Sequence, residues 1–138
     1  MYIWGKINFM TENCYVHIPF CRSKCKYCSF VSFPRLEMKD LYLKALRKDI
    51  QTHYKSEELN TLYFGGGTPS ILTVEEFSGI IELFNLAAGC EVTTELNPET
   101  MSLEYLNKLK HDGVNRISFG CQTFDDMILK NIGRRHSA

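Results

Sequence analysis

The chain contains no apolar run approaching the ~18 consecutive residues of a membrane-spanning helix, so stable membrane insertion is not expected. Its opening stretch, MYIWGKINFMTENC, lacks the basic start and apolar stretch of a signal peptide. The expected compartment is therefore the cytoplasm. Net charge is lacking as well. Lys+Arg number 16 against Asp+Glu 16, so nothing marks a nucleic acid or an anionic membrane as partner. Low-complexity segments, repeats and linkers are absent, and 138 residues suffice for one core-bearing domain and hardly for two. The triple glycine in FGGGTP has neither the Gly-Lys-Ser/Thr of a phosphate-binding loop nor a following G-x-G-x-x-G.

Cysteine is present, but not in the pattern of a disulfide scaffold. The six cysteines fall well below the ~8–10% share of small secreted frameworks, and a reducing compartment leaves them as thiols. Cys14, Cys90 and Cys121 stand singly in apolar surroundings and read as small buried hydrophobes. Cys21, Cys25 and Cys28 instead crowd into CRSKCKYC, a C-x3-C-x2-C loop. Structural zinc usually draws on paired C-x2-C knuckles, and no second pair follows here. Zinc with His17 or a remote residue as fourth ligand stays open at this point. So does an iron–sulfur cluster, commonly held by four cysteines. Three thiolates on four irons would leave one iron for an exchangeable ligand.

The pattern around these motifs alternates strand and helix. CYVHI (14–18) reads as a short buried strand. A helix over about 39–54 carries Leu43, Leu46, Ile50 and Tyr54. TLYF (61–64) is a second strand ending in GGGTP. The next helix opens on the capping pair Thr73 and Glu76 and buries Phe77, Ile80, Ile81 and Phe84. EVTTEL (91–96) forms a third strand. A third helix runs from Ser102 to Gly113, NRISFG (115–120) is the fourth strand, and a short helix leads from Asp125 to Gly133. Such alternation specifies α/β architecture with a parallel sheet, whose ligands sit at the carboxyl ends of the strands. The cysteine loop, the triple glycine, Glu95 and Gln122 all fall at those ends. Four separate loops therefore meet on one rim.

YVHIPFCRSKCKYCSF, YFGGGTPSIL, TELNPETM, GVNRISFGCQTF and IGRRHSA, taken together over residues 14–138, resemble the radical S-adenosylmethionine (SAM) proteins. Among these the resemblance is to the oxygen-independent coproporphyrinogen III oxidases and their haem-chaperone relatives. It implies a parallel-stranded partial (β/α) barrel, here its amino-terminal four βα units. It implies that Cys21, Cys25 and Cys28 ligate three irons of a [4Fe-4S] cluster, the fourth being chelated by SAM. Tyr27 matches the aromatic position beside adenine, and Gly65, Gly66, Gly67 and Thr68 match the loop near the methionyl amino group. Glu95, Gln122 and Arg134 match polar SAM-binding positions; Tyr15 and His17 match the strand leading into the cluster loop. Packing of an alternating strand face in the core is the other reading of those two. Phe20, Phe30, Phe33, Phe64 and Phe119 are candidates for a dry wall, or for ordinary sheet core.

In the oxidase branch the resemblance implies a 5′-deoxyadenosyl radical that takes hydrogen from a porphyrinogen propionate, with loss of carbon dioxide. Those oxidases tend to carry a further cysteine two residues after the triad, where this chain has Phe30. That departure and the GRRHSA tail point to the haem-chaperone branch, with haem as a further ligand; bona fide oxidase and a non-catalytic iron–sulfur or zinc module are the alternatives. Porphyrin or haem and an electron donor such as flavodoxin or ferredoxin are the expected partners. Only four strands fit before the chain stops, so residues 1–138 are read as the amino-terminal part of a larger core domain.

Overall fold

The computed structural model describes residues 12–138 of the chain. Most of the stretch read above for an export signal, residues 1–11, lies outside the described residues. Four strands, β1 (Asn13–Ile18), β2 (Leu59–Gly66), β3 (Leu86–Leu96) and β4 (Arg116–Phe119), form one sheet in the order β1-β2-β3-β4, parallel throughout. Between and after them come α1 (Lys39–His53), α2 (Val74–Ile81), α3 (Leu103–His111) and α4 (Asp126–Asn131). Parallel neighbours require crossovers, and α1, α2 and α3 supply them.

The two-residue period of the strands divides the sheet cleanly. Val16, Ile18, Leu62, Phe64 and Val92 pack with Leu43 and Ile50 of α1, Phe77, Ile80 and Ile81 of α2, and Leu109 of α3 in one core. The alternate positions, Tyr15 and His17, Tyr63 and Gly65, then Glu95, belong to the opposite face. The pairing sets Tyr15 beside Tyr63 and His17 beside Gly65. Tyr15 is 57% exposed, which overturns the core-packing reading of that residue.

Local signals end the helices where the chemistry demands. Thr73 and Glu76 form the expected reciprocal capping box at α2, and Glu76 also pairs with Lys39 of α1 at 2.5 Å. β2 runs two residues further than expected at each end, and two other boundaries differ more. β3 begins at Leu86 rather than residue 91, because its first half, LAAGC, has weak strand propensity and is held by pairing of Leu59 with Leu86. A register shift before Thr61↔Glu91 and a positive φ at Gly89 absorb the irregularity. Helix α2 stops at Ile81, short of Phe84. Tight turns bonding Leu83 N to Ile80 O and Phe84 N to Ile81 O still bury the Phe84 ring, which lies edge-on to Tyr54.

Among the described residues no helix is long and apolar enough to cross a membrane. The last strand in the order, β4, is short, and all four of its residues are exposed.

Candidate functional site

The loops at the carboxyl ends of the strands enclose a cavity of about 340 Å³, within the range of small-ligand sites. Cys21, Cys25, Cys28 and Tyr27 line it from the loop after β1. Gly67 and Thr68 do so from the loop after β2, Glu95 from β3, and Gln122 and Arg134 from the segments after β4. Nine of the sequence-derived site residues thus share one space. Tyr15, Gly65 and Gly66 do not line it.

The cysteine loop is fixed from two sides. Cys21 N donates to Phe33 O and Phe33 N to Pro19 O, closing the loop's base. Lys24 Nζ donates to the carbonyls of Phe30 and Ser32 at 3.3 and 3.4 Å, pinning its return. Cys28 N reaches Cys25 O at 3.1 Å, turning the chain between the last two cysteines. Among the described residues no three His, Cys, Asp or Glu side chains are gathered tightly enough to chelate a single ion. The three sulfurs are distributed along the cavity lining instead.

The glycine loop makes close approach possible. A Cβ at Gly67 would lie 2.5 Å from Phe20 O and 3.0 Å from Cys21 Sγ. At Gly66, φ is +116° and a Cβ would meet the His17 ring at 2.8 Å and Ile18 O at 2.9 Å. The Gly66 N–H, 3.1 Å from Glu95 Oε2, binds one carboxylate oxygen; the Tyr63 hydroxyl donates to the other at 2.9 Å. Burial, and then the bond to Glu95, push the Tyr63 phenol above its usual pKa, so it stays a donor at neutral pH. Tyr63 stacks on Tyr15, with ring centroids 5.9 Å apart. His17 Nε2 lies 2.9 Å from the Val31 carbonyl, an acceptor only, so that nitrogen carries the proton. Its Nδ1 lies 3.1 Å from the Tyr15 hydroxyl, which donates to it when the ring is neutral.

Arg134 arrives through a local stop signal. Asp125 caps α4 by accepting from the N–H groups of Met127 and Ile128. The helix ends on Gly133 at φ +84°, with Gly133 N bonding Lys130 O and Arg134 N bonding Leu129 O, a Schellman arrangement. The turn sends the guanidinium into the cavity. Its Nη2 donates to Asn97 Oδ1 at 3.2 Å and to Gly120 O, and its Nη1 lies 3.8 Å from Cys25 Sγ. Among the described residues its Nε is buried without a partner. Gly120 brings Gln122 alongside: a Cβ there would lie 3.2 Å from both Arg134 Nη2 and Gln122 Nε2. Gln122 itself holds φ +64°, an uncommon conformation for a non-glycine residue and one enriched at functional sites. Burial, with Cys25 close by, raises the Tyr27 phenol's pKa, and the Arg134 charge acts against that rise.

The aromatic candidates divide. Phe20 and Phe64 are buried in the sheet core, whereas Phe30 and Phe119 line the cavity and Phe33 packs edge-on against Phe20. Sequence reasoning missed Tyr63 and Asn97, which hold Glu95 and Arg134. The signal for Tyr63 was present: it lies two residues from Gly65, and hence on the same strand face.

Soft sulfur donors, a guanidinium N–H buried without a partner among the described residues, a carboxylate at β3 and a cradle left open by glycine make a site that fits an iron–sulfur cluster with an amino-acid-bearing cosubstrate. The family model of the Radical SAM superfamily matches residues 15–138, and the chain belongs to that superfamily. Within it, the chain is 40% identical over 134 residues to the "Heme chaperone HemW" of Bacillus subtilis, covering 91% of this chain and 35% of that protein. It is 37% identical to the haem chaperone HemW of Escherichia coli, covering 88% and 35%. The solved coproporphyrinogen III oxidase HemN of Escherichia coli, described as a radical SAM enzyme, superposes with a TM-score of 0.82 at 32% identity. That match covers 89% of this chain and 30% of HemN. The chain thus spans about a third of the length of the curated relatives it matches.

Proposed function

We propose that the complete protein is a radical SAM protein of haem metabolism, of the haem-chaperone branch, and that residues 1–138 are the amino-terminal part of its core domain. The observation that carries this reading is the cavity where Cys21, Cys25 and Cys28 face Glu95, Gln122 and Arg134 from independent loops. The cysteines would hold the cluster through soft thiolates, leaving one iron for SAM. When bound, cluster and SAM together supply one-electron reductive chemistry at the sulfonium. The protein's own share is binding, orientation and exclusion of water. Arg134 is a fixed fork for the SAM carboxylate, Glu95 an acceptor for its ammonium, and the Gly65–Thr68 loop and Tyr27 frame the rest. Gln122 adds a polar contact at the rim, Phe30 and Phe119 dry one wall, and Thr68 closes the glycine loop with its hydroxyl turned to Cys21 rather than to SAM.

The branch assignment is supported by the chaperone relatives and by Phe30 in the place of a fourth cysteine. Haem, or a related porphyrin, is then the cargo, taken by the parts of the protein beyond this chain. The likeness to HemN supports the oxidase as the second reading. An electron donor such as flavodoxin or ferredoxin suits the cluster loop: Arg22, Lys24 and Lys26 are exposed there, and no acidic residue occurs between Glu12 and Glu37. Such a basic patch favours an acidic carrier.

Full-length protein, reconstituted anaerobically and supplied with SAM and reductant, is expected to bind haem and to leave coproporphyrinogen unchanged. Conversion of coproporphyrinogen to protoporphyrinogen would overturn the chaperone assignment. A second result tests the cosubstrate site. Arg134→Ala should leave iron content unchanged yet weaken SAM binding about ten- to hundredfold, since a hydrogen bond to a charged group contributes roughly 1.5–3 kcal/mol. Titration of the cluster's paramagnetic resonance signal with SAM measures it, and wild-type affinity in the variant would remove Arg134 from the site.

A further inference from the structure

The geometry points to Thr68 as a positioning residue for the cluster rather than a contact for SAM: its hydroxyl donates to the Cys21 sulfur and raises the reduction potential of the group that sulfur holds. The inference rests on the reading of Cys21 as an iron ligand.

Thr68 is buried, and its Oγ1 lies 3.4 Å from Cys21 Sγ, within reach of an O–H···S bond. That sulfur is the hydroxyl's one side-chain or backbone partner among the described residues. The placement is enforced by the main chain. Thr68 N donates to Phe20 O and Gly67 N to Ile18 O, both at 2.8 Å, so the loop after β2 lies directly on the approach to Cys21. The absence of a Cβ at Gly67 permits the contact, and Thr68, β-branched, has few rotamers with which to leave it.

The three cysteines are not equivalent in this respect. Cys21 receives a neutral donor inside the protein, Cys25 has the Arg134 guanidinium at 3.8 Å, and Cys28 has no side-chain donor among the described residues. A thiolate bound to iron keeps lone pairs, and its negative charge grows when the cluster gains an electron. A donor aimed at it therefore stabilises the reduced state more than the oxidised state and shifts the potential upward. Burial strengthens the effect by keeping water from competing.

The test uses the full-length protein, reconstituted anaerobically without SAM, with cluster potential read by redox titration under electron paramagnetic resonance. Thr68→Val keeps the shape and removes the hydroxyl. Its midpoint is expected to fall by the equivalent of a tenfold change in the one-electron equilibrium, about 59 mV, at wild-type iron content. Thr68→Ser keeps the donor and should stay nearer to wild type than to Thr68→Val. An unmoved midpoint in Thr68→Val, or equal displacement in Thr68→Ser, overturns the inference. If Thr68→Val takes up too little iron, Thr68→Ala gives the same comparison. Should both lose the cluster, retention by Thr68→Ser supports the hydroxyl's role and loss in Thr68→Ser overturns it. Wild-type protein that assembles no cluster would instead sink the ligand reading of Cys21, a result visible before any variant is made.

Discussion

Replacing Cys21, Cys25 or Cys28 by Ala is expected to take the reconstituted full-length protein from about four irons per chain to almost none. Each of the three lines the same cavity, and each would hold a separate iron, so loss of any one leaves an exposed metal edge. The other three cysteines provide the control. Burial raises the thiol pKa of Cys14 and Cys90, which keeps them protonated and poor ligands, and Cys121 does not line the cavity. Their Ala variants should retain full iron and acid-labile sulfide. Iron and sulfide assays with the brown absorbance decide the matter. Stoichiometric zinc without sulfide, or equal iron loss on replacing Cys90, would defeat the cluster assignment.

Phe77→Ala is expected to destabilise the folded protein by about 3–5 kcal/mol, a large part of the roughly 5–15 kcal/mol that holds a typical domain together. Phe77 is fully buried between α2 and the sheet, its ring tilted against Phe64 with centroids 5.0 Å apart. Phe64 immediately precedes the glycine loop, so the cavity left behind also loosens the strand end that carries Gly67 and Thr68. The contrast is Phe30→Ala. That ring is 63% exposed, and its loss should change the denaturation midpoint little while opening the cavity wall to water. Urea unfolding of both variants measures the difference, and a Phe77→Ala midpoint equal to that of Phe30→Ala would show that the core is assigned to the wrong face.

Much of this protein was legible before any coordinates. Helical spacing of Phe77, Ile80 and Ile81, the Thr73–Glu76 box, Asp125 as a cap and Gly133 as a stop are local signals, written in residues a few positions apart. They placed the helices and turned Arg134 at the right point. Strand alternation likewise put Tyr15 and His17 on one face of the first strand. It could not say which face meets the helices. Where local preference is weak, as in LAAGC before Glu91, the strand went unread, since only its partner Leu59 makes it one. The same holds for Phe84, whose burial does not require the helix to continue to it.

What the sequence alone determined was the order of elements, the cysteine spacing and the gathering of distinctive residues at the strands' carboxyl ends. These follow from periodicity and from the rule that parallel strands all point the same way. What only the tertiary structure decided was which atoms meet there. The Thr68 hydroxyl finds Cys21 across 47 residues, and the Arg134 guanidinium comes to Cys25 across 109. Tyr63 and the Gly66 amide both close on Glu95. Such meetings depend on strand register and on how closely two loops can approach. Both are set by packing across the sheet, where an absent Cβ at Gly67 matters as much as any side chain.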